Sequence, residues 1–377
     1  GGSYVIPSYQ RQFRWKTEKS GQLISDIYAY YNMTVQDYMS SITDPSSPSR
    51  GKFEVSNKFV GTLIAVNGGE FLEKISGSTK LTAIIDGQQR LTTFILLLMA
   101  IYLRIKKHQH NVNEKLEGES AVDEVRKPYY RTVLDDIKKF AGRPVELCLL
   151  TPQEHPRFGR EKGATDTGNT NIRGDNWKSG EFVTDIPRLI NACIKFNGKS
   201  EDDESLEQRI LDQVDGISTK IKESFLMIGS FLDIVESGLN FESMTKQKKS
   251  AWDKYKVHLP SDGLPLNYIC KFSGCEGFKT CFTLDIKTAL LGYDPEVERI
   301  ARLLSFTNFY LEFVYVAKVV CRPNNYLDIF ESLNTSGTAL TPLETFVPEV
   351  YQFYEKTNTS EDYLRKEDIL ISKNSLN

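Results

Sequence analysis

Apolar residues recur at helical spacing near the start of the chain, at Leu23, Ile24, Ile27, Tyr30 and Tyr31. This rhythm predicts a helix over Thr17–Tyr31, with Thr17 placed to cap it. The polar stretch SSITDPSSPSRG, residues 40–51, predicts a surface loop. A compact β unit follows, with strands expected at Phe59–Val66, Phe71–Ile75 and Leu81–Ile85. Asn67-Gly68-Gly69 suits a hairpin turn because these residues tolerate positive φ. The third strand runs into Asp86-Gly87-Gln88-Gln89-Arg90 and then a strongly apolar helix from Leu91 to about Lys107. Apolar residues all round that helix mean burial on most sides.

From about residue 110 to 290 helical patterns dominate, for example Leu206–Val235, interrupted by a Gly-, Asn- and Thr-rich loop from Gly163 to Gly180. Strand character returns at Tyr310–Val320, which is rich in aromatic and β-branched residues. A short helix, Tyr326–Leu333, then ends at Asn334-Thr335-Ser336-Gly337. The next helix starts at Thr341, with Pro342 in its first turn and Glu344 completing a capping box. The expected fold class is therefore α+β, a small mixed β unit with a large helical lobe. The division that follows is 1–110 and 291–345 for the two parts of the core, 111–290 for the helical lobe and 346–377 for a helical extension.

Composition narrows the class. The 377 residues, 40% hydrophobic and 26% charged, are enough chain for a sizeable core. A net charge of -3 argues against the broadly basic surface of a non-specific DNA binder and leaves room for a local basic groove. The longest apolar run, Phe94–Leu103, is too short to cross a bilayer, and no charged-then-apolar leader opens the sequence. Six irregularly spaced cysteines read as reduced thiols. Cys270, Cys275 and Cys281 lie close together without a CxxC pair, so zinc is not expected. A cytoplasmic protein without a membrane partner is the expectation.

The most informative chemistry lies in IIDGQQRLTT, residues 84–93. A hydrophobic strand delivers the chain to the mouth of a buried helix, and Gly87 permits a tight turn. The first N–H groups of a helix lack internal partners and carry partial positive charge, which makes them an anion site. Arg90 adds a planar, charged fork suited to phosphate, while Gln88 and Gln89 add neutral donors. Thr92 and Thr93 supply hydroxyls one turn on. Asp86 would repel a phosphate unless Mg2+, or a water it orients, intervenes. The competing reading is that Asp86 caps the helix and Arg90 pairs with an acidic neighbour.

Other segments offer weaker signals. Pro7 disfavours helix at Ile6, so IPSYQRQFRW begins extended. Its arginines, aromatics and glutamines can stack on a base while pairing with phosphates. Alternatively, Phe13 and Trp15 anchor the core with arginines at the rim. Asn334 before a glycine turn is either a helix C-cap or part of the same pocket. For DNA, the candidates are Arg14 and the stretch MTKQKKSAWDKYK, with Lys246, Lys248, Lys249, Trp252, Lys254 and Lys256, although such a run is usually a solvated helix face.

Taken in order, IPSYQRQFRW, IDGQQRLTT and FESLNTSGTAL resemble the signatures of the GmrSD-type restriction endonuclease N-terminal domain. The resemblance covers roughly residues 4–107 and 295–356, with the helical middle as a variable insert. It implies a ParB/sulfiredoxin-like β unit that binds NTP, with hydrolysis in many members, and a role in restricting modified phage DNA. By the same resemblance, Asp86, Gly87, Gln88, Gln89 and Arg90 fall on the nucleotide motif; Asp86, Gln89 and Arg90 are the expected catalytic residues, with Asp86, on the charge argument above, the expected Mg2+ ligand. Tyr9, Gln10 and Arg11 fall on the first signature and Asn334 on the third, and with Gly87, Gln88 and the hydroxyl of Thr92 they make up the expected nucleotide site. A non-hydrolysing switch that regulates a nuclease is the alternative. Relatives often carry a nuclease domain of the His-Asn-His kind. None of His108, His110, His155 and His258 has such a context. The nuclease module is therefore expected either beyond this sequence or on a partner; the expected partners are DNA, modified phage DNA by the resemblance, and a nuclease domain or subunit of the His-Asn-His kind, with a homo-oligomer left open. His108 and His110, two apart at a helix end, are expected to be solvated.

Overall fold

The computed structural model of the chain describes residues 3–6, 13–48, 53–67, 81–118, 124, 126–148, 172–174, 185–199, 205–238, 266–270 and 294–321. In chain order the elements are β1 (Ser3–Ile6), α1 (Thr17–Thr43), β2 (Lys58–Asn67), β3 (Leu81–Asp86), α2 (Gln88–Glu117), α3 (Lys127–Ala141), α4 (Arg143–Cys148) and β4 (Ile172–Gly174). They continue with α5 (Asp185–Lys195), α6 (Leu206–Leu211), α7 (Thr219–Ser237), α8 (Leu266–Ile269), α9 (Pro295–Phe313) and β5 (Val314–Cys321). The architecture is α+β and mostly helical.

The strands form one mixed sheet in the order β4-β1-β3-β2-β5. β1 lies parallel to β3 and β4, β2 is antiparallel to β3, and β2 runs parallel to β5. Parallel neighbours need long crossovers, and here the helices supply them. β2 is irregular on both sides, with register shifts between Phe59 and Thr62 against β5 and between Ile64 and Ala65 against β3. The expected strand Phe71–Ile75 lies outside the described residues.

α2 is the spine of the molecule. Every residue from Thr92 to Ile105 is buried, as its all-round apolar sequence predicts. The main hydrophobic core gathers around it from α1, α3, α5, α6, α7 and α9, with Phe225, Phe231, Phe306 and Phe309 among the largest fully buried side chains. Ring pairs knit these helices: Tyr28 meets Phe231 and Phe306 edge-on with centroids 5.3 and 5.7 Å apart, a favoured aromatic geometry. Among the described residues no helix is long and apolar enough to cross a membrane.

Several sequence expectations need correction. α1 continues twelve residues past Tyr31 to Thr43 and takes up the start of the expected polar loop. Polar Asn32, Thr34 and Ser41 occupy its buried face beside Val35, so hydropathy hides the helical period there. Lys16, not Thr17, holds the N-cap position, without a side-chain cap. The segment Leu206–Val235 is two helices, broken around Gly216, which sits at φ 69°. Tyr310–Phe313 closes α9 and does not open a strand; Phe306, Phe309 and Tyr310 are buried there at helical spacing. A run of aromatic and β-branched residues satisfies either period, and packing decides. Ile172–Gly174, inside the expected loop Gly163–Gly180, pairs with β1 as an edge strand.

Candidate functional site

The junction between β3 and α2 is built by two glycines on neighbouring elements. Gly87 occupies the N-cap of α2 at φ 86°, a left-handed conformation that other residues adopt only with strain. A Cβ there would lie 2.5 Å from Leu63 Cδ2 and 2.9 Å from the Thr62 carbonyl oxygen. The turn is thus pressed against the irregular part of β2. Gly87 has no side chain to cap the helix, and the first turn that follows holds no acidic residue. The first amide to find a helical acceptor is that of Leu91, which donates to Gly87 O at 3.0 Å.

Arg90 takes its seat from the second glycine. Gly61, at φ 115° in the middle of β2, has no Cβ to occupy the space where the guanidinium lies; an added Cβ would stand 2.7 Å from Arg90 Cζ. Arg90 Nη1 donates to the Thr62 carbonyl oxygen at 2.8 Å. Among the described residues Arg90 forms no ion pair, and Asp86 neither caps the helix nor bonds another side chain. Asp86 stands exposed at the end of β3, opposite Ile64 in the sheet. Of the competing reading, the cap position goes to Gly87 in place of Asp86, and no acidic partner of Arg90 lies among the described residues. Sequence reasoning missed Gly61 and Thr62. A glycine inside a strand pattern marks a bulge or a close approach, and that was the available signal.

The remaining motif residues are placed unevenly. Gln89 Oε1 accepts the backbone N–H of Arg14 at 2.7 Å and of Trp15 at 3.2 Å. The end of the IPSYQRQFRW segment is thereby brought to the first turn of α2. Arg14 itself is exposed and Trp15 half-buried. Phe13 packs against the main core, as the anchoring alternative has it. Gln88 is buried, and so is Thr92 at 6% exposure, behind the first turn. Thr93 is fully buried and its hydroxyl donates to Gln89 O at 3.0 Å. Tyr9, Gln10, Arg11, Lys248, Lys249, Trp252 and Asn334 lie outside the described residues.

The same helix carries a second polar cluster further along, and here an expectation fails. His108 is not solvated: it is 4% exposed, with Nε2 3.2 Å from Glu236 and Nδ1 2.8 Å from Glu296. Burial alone would lower its pKa, but the two carboxylates outweigh that and raise it to about 9. The protonated ring donates to both. Glu296 answers in kind: burial opposes its charge, yet His108 and Asn111 bring its pKa down to about 2. One turn earlier, Arg104 reaches Asp233 at 2.5 Å, Glu207 at 3.4 Å and Glu236 at 3.6 Å. Burial holds Glu207 above the usual carboxylate range despite Arg104 beside it. Among the described residues no group of three or more His, Cys, Asp or Glu is arranged to hold a metal ion.

The fold is an α+β domain whose mixed sheet hands over to a helix entrance lined by Gly61 and Gly87, with Arg90 seated on the Thr62 carbonyl. The chain matches the family model described as GmrSD restriction endonuclease, N-terminal domain, over residues 1–351, and it belongs to that family. The match takes in the helical middle as well as the signature segments. No curated protein matches the chain.

Proposed function

We propose that this chain is the nucleotide-binding and DNA-sensing part of a modification-dependent restriction system, with strand cleavage assigned to a nuclease module of the His-Asn-His kind. Within that reading the sheet and its DGQQR junction form a ParB-like core, and the nucleotide polyphosphate lies against the start of α2. The observation that carries it is the state of Arg90, which is held in place by a carbonyl oxygen and a bare glycine, among the described residues without a carboxylate to neutralise it. A fixed cation with its charge uncompensated, beside helix-start amides, attracts phosphate oxygens.

The chemistry follows from these groups. Hydrolysis forms a bond from a water oxygen to the terminal phosphorus and breaks that phosphorus's bond to the bridging oxygen. Arg90 and the amides stabilise charge on the phosphoryl oxygens as this happens. Asp86 is the residue that would hold Mg2+; the ion would neutralise phosphate charge, and a lone exposed carboxylate fits a cation whose other ligands are phosphates and water. Thr92, Tyr9, Gln10, Arg11 and Asn334 belong to this reading through the family motif. Arg14 and the lysines around Trp252 are its DNA-facing candidates.

The test is phosphate release from ATP, GTP, CTP and UTP with Mg2+, for wild type and Arg90→Ala, with unmodified and modified DNA. Release by wild type and loss in the variant are expected. Inertness with every nucleotide in every DNA condition rejects hydrolysis. One observation favours a switch that binds without turnover: the Gln89 oxygen, suited to orienting a water, is engaged by the Arg14 and Trp15 amides. Tight nucleotide binding without phosphate release selects that version.

A further inference from the structure

Gln89 belongs to a motif whose polar groups all suit a phosphate, yet its oxygen points elsewhere. It accepts two consecutive backbone N–H groups, from Arg14 and Trp15, 75 and 74 residues away in sequence. Neither donor lies in a helix or strand, since both precede the start of α1 at Thr17. Two adjacent amides converging on one oxygen need an acceptor that projects from a rigid support. Gln89 has one, because the second residue of α2 is fixed by the turn at Gly87 and by Thr93 bonding its carbonyl. Arg14 and Trp15 are also the last residues of IPSYQRQFRW.

We propose that Gln89 is a positioning residue, a latch that fastens the end of the first signature to the first turn of the DGQQR helix. Its acceptor oxygen performs that task, and no contact from it to a phosphate is required. The latch makes the two motifs one unit: whatever the first signature contributes to a ligand is delivered from a fixed point beside Arg90. This rests on the nucleotide-site reading for its consequence, though not for its geometry. The side chains divide the work, with Arg90 presenting charge and Gln89 holding the Arg14–Trp15 backbone.

Acceptor and donor roles separate by substitution. A carboxylate accepts N–H bonds at least as well as a carboxamide and cannot donate when ionised. Leucine can do neither. The measurement is residue-resolved amide hydrogen exchange of the full chain for wild type, Gln89→Glu and Gln89→Leu, with melting temperatures to establish that each variant folds. A latch predicts that Arg14 and Trp15 exchange about tenfold faster in the leucine variant, the loss of roughly one net hydrogen bond. In the glutamate variant they keep wild-type protection. Should the leucine variant fail to fold, loss of protection in Gln89→Glu would overturn the latch by itself, and retained protection there would support it. Unchanged exchange of both amides in a folded Gln89→Leu also overturns it. Fluorescent GTP and ATP analogues then read the consequence: affinity falls in Gln89→Leu at an unchanged melting temperature. If wild type binds neither these nor the CTP and UTP analogues, the nucleotide reading fails, and the exchange data still decide the latch.

Discussion

Two arginines on the same helix have opposite surroundings. Arg104, in the middle of α2, is 7% exposed and is met by Glu207, Asp233 and Glu236, with a further bond to the Gly229 carbonyl. Arg90, at the helix start, is half-buried and bonded to the Thr62 carbonyl. Both are fixed, but among the described residues only Arg104 meets carboxylates. A buried guanidinium among carboxylates ties together the helices that carry them; a guanidinium that meets no carboxylate among the described residues is, on the proposed function, the one that takes a phosphate. The difference shows why residue type alone does not reveal a site. What matters is whether the fold has already satisfied the charge.

That contrast can be broken most forcefully at Arg104. Arg104→Ala leaves Glu207 buried without its cation, and such uncompensated charges cost about 3–5 kcal/mol. Urea unfolding should show a loss of that size; a loss under about 1 kcal/mol would mean that the cluster tolerates the missing charge and is not a structural clamp.

The same cluster predicts a pH dependence of a few kcal/mol. The folded-state pKa of His108 is raised to about 9 from 6.5. Its contribution is therefore complete below about 6.5 and disappears as pH rises through about 9. Glu296 works in the other direction, complete above its ordinary 4.5 and lost as pH falls through about 2. Melting temperature against pH should decline on the alkaline side, and His108→Leu should flatten that limb. An unchanged alkaline limb in the variant assigns the decline elsewhere.

Arg90→Ala should have the reverse profile. Hydrogen bonds to charged groups contribute about 1.5–3 kcal/mol, so nucleotide affinity should fall roughly 10- to 100-fold, while stability falls by less than in Arg104→Ala, because the Thr62 carbonyl loses one part-buried bond. Titration with a fluorescent nucleotide and a urea curve on the same variant decide this. A stability loss matching that of Arg104→Ala would erase the distinction between the two sites.

Gly61→Ala sharpens the comparison further. A non-glycine residue at φ 115° is strained, by about 1–3 kcal/mol, and its Cβ displaces the Arg90 guanidinium. Both stability and nucleotide affinity should drop. Retained affinity would show that Arg90 does not need its seat.

Much of this molecule could be read from one dimension. The strand–glycine turn–buried helix at residues 81–107 is explicit in local pattern, because a central helix is apolar all round and a strand ending in Asp-Gly must turn. The family, too, is carried by short ordered motifs, and the match over residues 1–351 agrees. Other features are set by partners distant in sequence. Gly61 meets Arg90, Gln89 meets Arg14 and Trp15, and His108 meets Glu236 and Glu296. No local rule relates positions 61 and 90, or 108 and 296, because hydropathy reports how much a residue avoids water and says nothing of which charge awaits it inside. Only the packed chain decides which cation is cancelled and which is kept.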